Sequence, residues 1–168
     1  MILVVMGIAS SGKTTLGRSL AAALDWVFVE GDDFHPAANI AKMARGEPLN
    51  DADRAPWLDR LHRRLAELDG RGADAVAACS ALKARYRARL AGGLGELRYV
   101  FLSGDADVIA RRMRARQGHF MPAELLDSQA ETLEPPDEAI TIPIELTTEQ
   151  QVGLVLRAIG ADQRPASR

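Results

Sequence analysis

The sequence predicts an α/β fold of three layers, a five-stranded parallel sheet with helices on both faces. Three observations lead there. Short apolar runs alternate with stretches of helical periodicity, the order that parallel strands joined by crossover helices produce. A glycine-rich turn joins the first such strand to the first such helix. The composition is that of a packed chain: 47% of the 168 residues are hydrophobic and 26% charged, at a length that buries roughly 68–70% of the unfolded surface around one core.

In chain order, Ile2 to Met6 is apolar, rich in β-branched residues and stops at Gly7, as a strand buried on both faces does. Leu16, Leu20, Ala23 and Leu24 then recur at spacings of three and four and predict a helix with one apolar stripe. Val27-Phe28-Val29 supplies a second strand and completes a βαβ unit. Pro36 suits the first turn of another helix and Gly46 its C-terminal end, and Leu58, Leu61, Leu65 and Leu68 mark a longer helix ending near Gly70. Strands three, four and five are expected at Ala75 to Cys79, Arg98 to Leu102 and Ile140 to Leu146, the last at a sheet edge because it contains Pro143. Asp105 can cap a helix running toward Arg116, and Thr147 or Thr148 a last helix whose Val152, Val155, Leu156 and Ile159 share a face. One domain is expected over 1–161, followed by a loose tail at 162–168.

The 21 basic and 23 acidic residues leave a formal net charge of −2, which argues against a dedicated nucleic-acid or membrane-surface binder. Arg85, Arg87 and Arg89 are basic but two apart, so they diverge on a helix, and Tyr86 is a solitary aromatic rather than a stacking platform. The opening apolar run is six residues long without a basic flank, and no apolar run of about 18 residues occurs, so neither a signal peptide nor a membrane span is expected. A single cysteine, Cys79, allows no internal disulfide or structural zinc site and reads as a small apolar group at a strand end. These features fit a soluble protein of the cytoplasm.

Gly7-Ile8-Ala9-Ser10-Ser11-Gly12-Lys13-Thr14 matches G-x-x-x-x-G-K-[ST] between a predicted strand and a predicted helix. Its glycines let the backbone curl so that N–H groups point at phosphate oxygens. The helix N-terminus adds a positive dipole, Lys13 a full charge, and Thr14 a hydroxyl for magnesium. ATP binding is therefore expected at Gly7, Ala9, Ser10, Ser11, Gly12, Lys13, Thr14 and Thr15. The motif is shared by switches, motors and kinases and does not name a reaction. The acceptor side has to decide. Asp32 and Asp33 follow the second strand, at the edge where open α/β sheets bind ligands. A carboxylate there can accept the proton of an attacking hydroxyl or hold magnesium through water. Strand three ends in Ala78-Cys79-Ser80 with no aspartate to serve as the usual acidic magnesium partner.

On these residues and others the sequence resembles the small bacterial gluconokinases of the P-loop kinase superfamily. The likeness takes in Gly31-Asp32-Asp33-Phe34-His35-Pro36, Asn39-Ile40-Ala41-Lys42-Met43, the stretch from Gly46 to Leu58, Cys79 to Arg87, and Gly118-His119-Phe120-Met121, covering roughly residues 1 to 133. It implies a fold like that of nucleoside monophosphate and shikimate kinases, with an acceptor-binding segment at about 31–70, a lid at about 112–124 and usually a homodimer. It implies ATP and magnesium as cosubstrate and cofactor, and D-gluconate, phosphorylated at its 6-hydroxyl, as acceptor. Carried over by position, Asp32 is the base, His35 and Arg54 line the sugar-acid pocket, and Lys83 is a further contact. A planar guanidinium at Arg54 suits this, since it grips a carboxylate through two parallel hydrogen bonds. Glu30, where some relatives carry aspartate, receives no role.

Arg112 and Arg116 are four apart and project together just ahead of Gly118, the arrangement of a lid whose arginines reach the transferring phosphate; a solvated helix face is the plainer reading. His119 divides between lid surface and phosphate contact, His35 between pocket and helix start. His62 reads as surface, Trp57 as core or pocket wall, Trp26 as packing. A shikimate- or nucleotide-type kinase shares the donor half of this reading. A nucleotide-dependent regulatory protein would bind ATP without needing Asp32, His35 and Arg54.

Overall fold

The protein is described by a computed structural model covering residues 1–105, 108–109 and 124–160. Five strands, β1 (Ile2–Met6), β2 (Val27–Glu30), β3 (Ala75–Ala78), β4 (Leu97–Ser103) and β5 (Ala139–Pro143), form one sheet in the order β2-β3-β1-β4-β5. Every neighbouring pair is parallel. All five residues of β1 are fully buried, as expected of the central strand of a sheet covered on both faces.

Side chains alternate across a strand, and the two faces of β1 feed two cores. Ile2, Val4 and Met6 meet Trp57, Leu58, Leu61, Leu65 and Leu68 of α3 (Asp51–Gly70) and Tyr86 and Leu90 of α4 (Ala84–Ala91). Leu3 and Val5 meet Leu16, Leu20 and Ala21 of α1 (Lys13–Leu24) and Val155 of α6 (Thr148–Ala158). Each fully buried aliphatic side chain contributes roughly 1.5–3 kcal/mol of transfer free energy. Two further helices, α2 (Ala37–Ala44) and α5 (Glu124–Thr132), complete those of the described residues. None of the helices described is long and apolar enough to cross a membrane.

Several boundaries differ from expectation for local reasons. On α1 the buried stripe is Leu16, Gly17, Leu20 and Ala21, so Ala21 takes the place expected for Ala23, which is exposed. β5 ends at Pro143 rather than Leu146, at the sheet edge, with one further ladder bond from the Ile144 N–H to the Ser103 carbonyl at 2.9 Å. β3 stops at Ala78, leaving Cys79 just beyond it, fully buried, its thiol pushed up to about 12 by desolvation. His62 is half-buried rather than surface, and its Nδ1–H donates to the Leu90 carbonyl at 3.0 Å, tying α3 to α4. Thr147 caps α6 in a reciprocal box with Gln150, and Asn50 caps α3 likewise with Asp53. The Ile109 N–H donates to the Asp105 carbonyl at 3.1 Å. Arg112, Arg116, His119, the expected lid as far as residue 123 and the tail at 162–168 lie outside the described residues.

Candidate active site

The carboxyl ends of β1, β2 and β3 open onto a cavity of about 330 Å³. One wall is the turn between β1 and α1. Gly7 and Gly12 have φ of 143° and 104°, which a side chain rarely tolerates, and a Cβ on Gly7 would lie 3.0 Å from Ser11 Oγ and 3.1 Å from the Leu102 carbonyl oxygen. Ala9, Ser10, Gly12, Lys13, Thr14 and Thr15 line the cavity, while Gly7 and Ser11 stand behind it and shape the turn. Lys13 Nζ donates to the Ile8 carbonyl at 2.9 Å, so its charge lies over the loop, and the Ala9 N–H donates to Gln129 Oε1 at 2.7 Å. Ser10 Oγ and Ser11 Oγ are buried with no hydrogen-bond partner among the described residues. A curled run of N–H donors, two hydroxyls lacking partners and a lysine together fit a polyphosphate.

The facing wall comes from the 3-10 helix Gly31–Phe34 and from α2 and α3. Gly31 is forced by packing, since a Cβ there would sit 2.3 Å from the Ala78 carbonyl oxygen. Its own carbonyl accepts from Trp57 Nε1 at 2.7 Å, which fixes the 3-10 helix to α3. His35 stacks on Trp57 with ring centres 4.2 Å apart and planes 13° apart, and its Nε2 lies 3.9 Å from Asp32 Oδ1. Asp32 is largely exposed to the cavity, whereas the neighbouring Asp33 is exposed without lining it. Arg54 enters from α3, its Nη1 donating to Tyr86 Oη at 3.4 Å with the guanidinium 5.7 Å from the ring centre. The tyrosine hydroxyl in turn donates to Asp51.

Asp32, His35 and Arg54 are thus brought together opposite the phosphate turn. Lys83 is not: it does not line the cavity, and its Nζ is held 3.2 Å from Asp51 Oδ1 at the start of α4. Electrostatics sort the groups further. Burial, with Arg54 adding to it against the opposing Asp32 charge, pushes His35 down to about 4, so the imidazole is neutral near pH 7. Asp51, hydrogen-bonded by Tyr86 and Lys83 and facing Arg85, is held down to about 2.

Glu30 ends β2 beside Thr14 of the phosphate turn. Its carboxyl accepts a hydrogen bond from the Thr14 side chain, and burial raises it above the ordinary carboxylate range despite that bond. Among the described residues no group of three or more His, Cys, Asp or Glu could hold a metal by itself. Thr14 with Glu30 and Asp32 nearby suits magnesium, which takes one or two carboxylates and completes its shell with phosphates and water.

Sequence reasoning left several lining residues unassigned. Ile40, Met43, Pro48 and Leu49 form an apolar side of the cavity, and Ser80 and Leu82, just beyond β3, and Ser128 and Gln129 of α5 close it. All but Ser128 and Gln129 fall within stretches that resemble the family, so a signal existed. Gln129 is 120 positions from Ala9, and no local pattern joins the two.

A family model described as an AAA domain matches residues 2–136. The gluconokinase of Gluconobacter oxydans is 45% identical over 157 residues, spanning 94% of this chain and 88% of that protein. A crystal structure of a gluconokinase from Sinorhizobium meliloti superposes with a TM-score of 0.85 at 41% identity, over 95% of this chain and 91% of that one. Shikimate kinase from Bacteroides thetaiotaomicron, at 22% identity and a TM-score of 0.66 over 95% of this chain and 98% of that one, shares the fold alone. A phosphate-binding turn set opposite a wall of acidic and basic side chains, in a chain this similar to such a relative across nearly its whole length, belongs to the gluconokinase family of P-loop kinases.

Proposed function

We propose that the protein transfers the γ-phosphoryl group of ATP to the 6-hydroxyl of D-gluconate, giving 6-phospho-D-gluconate and ADP. The observation that carries this reading is the single cavity shared by Lys13 and the turn amides on one side and Asp32, His35 and Arg54 on the other. In the step, the O6 oxygen attacks the γ-phosphorus, the bond from that phosphorus to the β,γ-bridging oxygen breaks, and the hydroxyl proton passes to Asp32. Arg54 grips the sugar-acid carboxylate and sets the far hydroxyl against the phosphate wall. Lys13 and the turn N–H groups hold the phosphate charge.

Magnesium, held by Thr14 with Glu30 or Asp32 through water, would neutralise phosphate charge when bound. Arg112 and Arg116 are assigned to the transferring phosphate from the sequence alone, and Lys83 reaches acceptor only if released from Asp51. A homodimer, a lid near 112–124 and an acceptor segment near 31–70 accompany this reading through the resemblance, and a cytoplasmic location through the composition and the short opening apolar run. The test is ADP release with gluconate, shikimate and nucleoside monophosphates as acceptors in parallel. Gluconate alone should stimulate it strongly; stimulation by shikimate or a nucleotide instead would replace the acceptor, and none at all would leave a nucleotide-dependent binding protein.

A further inference from the structure

We propose that Asn39 is a positioning residue that locks His35 in the tautomer carrying its proton on Nε2, so that the acceptor wall presents a hydrogen-bond donor beside the Asp32 carboxylate. Its kinetic consequence rests on the gluconate reading above; the tautomer itself does not.

Asn39 sits on α2 and is only 5% exposed, so its amide hydrogens need partners inside the protein. Its Nδ2 donates to the Asp53 main-chain carbonyl at 2.8 Å. A carbonyl only accepts, and this settles which end of the amide is nitrogen. The same Nδ2 lies 3.4 Å from His35 Nδ1. An NH₂ group offers only protons, so Nδ1 must offer its lone pair, and a neutral imidazole then carries its one hydrogen on Nε2. A doubly protonated ring would set an Nδ1–H against those amide protons, so the ring that faces Asn39 in this way is the neutral one.

The consequence lies on the cavity side. Nε2–H and Asp32 Oδ1 are 3.9 Å apart, a donor and an acceptor facing the same space. One alcohol oxygen can satisfy both, accepting from His35 while its own proton turns to Asp32. With the opposite tautomer two acceptors would face each other, and the alcohol could be held by only one of them. His35 therefore orients the hydroxyl and does not take its proton. Asn39, which touches neither cavity atom, acts through it.

The experiment is nitrogen-15 NMR of the histidine-labelled full chain near pH 7, with the His35 signals assigned by their loss in His35→Gln. The expected wild-type spectrum shows His35 with Nε2 protonated and Nδ1 unprotonated; a protonated Nδ1 or an even mixture overturns the proposal. Asn39→Asp keeps the size of the side chain but can only accept, so it gives up the bond to the Asp53 carbonyl and should place a proton on Nδ1. It should lower kcat with gluconate at least tenfold and change KM for ATP less than twofold. A folded Asn39→Asp protein with the original tautomer, or with a changed tautomer and normal kcat, overturns the positioning role. Should gluconate prove not to be the acceptor, the wild-type spectrum still decides the tautomer, so the two readings fail separately.

Discussion

The two walls of the cavity are built in opposite ways. The phosphate wall is eight consecutive residues, Gly7 to Thr14, whose donors are mostly backbone N–H groups aimed by the turn itself. The acceptor wall consists of side chains from three elements between Asp32 and Trp57, held together by Trp57, which fastens α3 to Gly31, and by Asn39 and Lys42, which fasten α2 to Asp53. A site made of backbone survives most side-chain changes nearby; one made of packed side chains does not. The two walls should therefore fail differently: the first through phosphate charge, the second through acceptor affinity and stability.

The largest effect belongs to the phosphate wall. Lys13→Ala removes a full charge from a site where electrostatic stabilisation dominates, and kcat/KM should fall about 10³-fold with the melting temperature nearly unchanged. Asp32→Asn keeps the shape of the proposed base without its basicity and should lower kcat about 10²-fold while KM for ATP stays within twofold. Steady-state kinetics with both substrates varied checks the pair. If Lys13→Ala altered only gluconate affinity, the division between the walls would be wrong.

On the acceptor wall, acid should act before any mutation does. Burial, the largest cause, opposed by the nearby Asp32 charge and helped by the smaller effect of Arg54, brings the His35 imidazole down to about 4 in the fold against an ordinary 6.5. Well above pH 6.5 the ring is neutral in both folded and unfolded chains and contributes no pH dependence. As pH falls below 6.5 the unfolded chain takes up the proton first, so stability declines, by roughly 2–3 kcal/mol at pH 4. Urea unfolding at stepped pH measures this, and His35→Gln should flatten that part of the profile. A profile equally steep in the variant would assign the acid sensitivity elsewhere.

Arg54→Lys tests the wall by chemistry rather than charge. An ammonium keeps the positive sign but loses the planar fork that holds a carboxylate by two bonds. KM for gluconate should rise about tenfold, with KM for ATP unchanged. A smaller rise would mean that Arg54 serves as a point charge, and the acceptor carboxylate would need another partner.

This contrast also explains what could be read beforehand. β1, the phosphate turn and α1 are legible because apolar period, glycine placement and motif all act within a few residues. The 3-10 helix at Gly31–Phe34 was not foreseen, because it exists to bring Asp32 beside the cavity under the Trp57 hydrogen bond, a contact 26 residues long in sequence. Lys83 was carried over to the acceptor by position, yet Asp51 holds it at the start of α4, a pairing across 32 residues that no spacing rule contains. Ala23 failed for a smaller reason: a stripe of spacings three and four fixes a helix but not how far it is rotated toward its sheet.

The smallest effect probes how Arg54 is held. Its Nη1 is 3.4 Å from Tyr86 Oη, a weak bond by distance, and the tyrosine hydroxyl is itself anchored on Asp51, which Arg85 also binds. Tyr86→Phe deletes the oxygen, leaves the ring face beneath the guanidinium at 5.7 Å, and leaves Asp51 Oδ1 to Lys83 and to water. Loss of one long hydrogen bond, with the cation–ring contact kept, should raise KM for gluconate only about threefold and leave kcat and KM for ATP alone. Combining it with Arg54→Lys makes a double-mutant cycle. If Tyr86 acts through Arg54, the second change should add almost nothing to the first; if the two effects multiply fully, Tyr86 supports the acceptor wall independently.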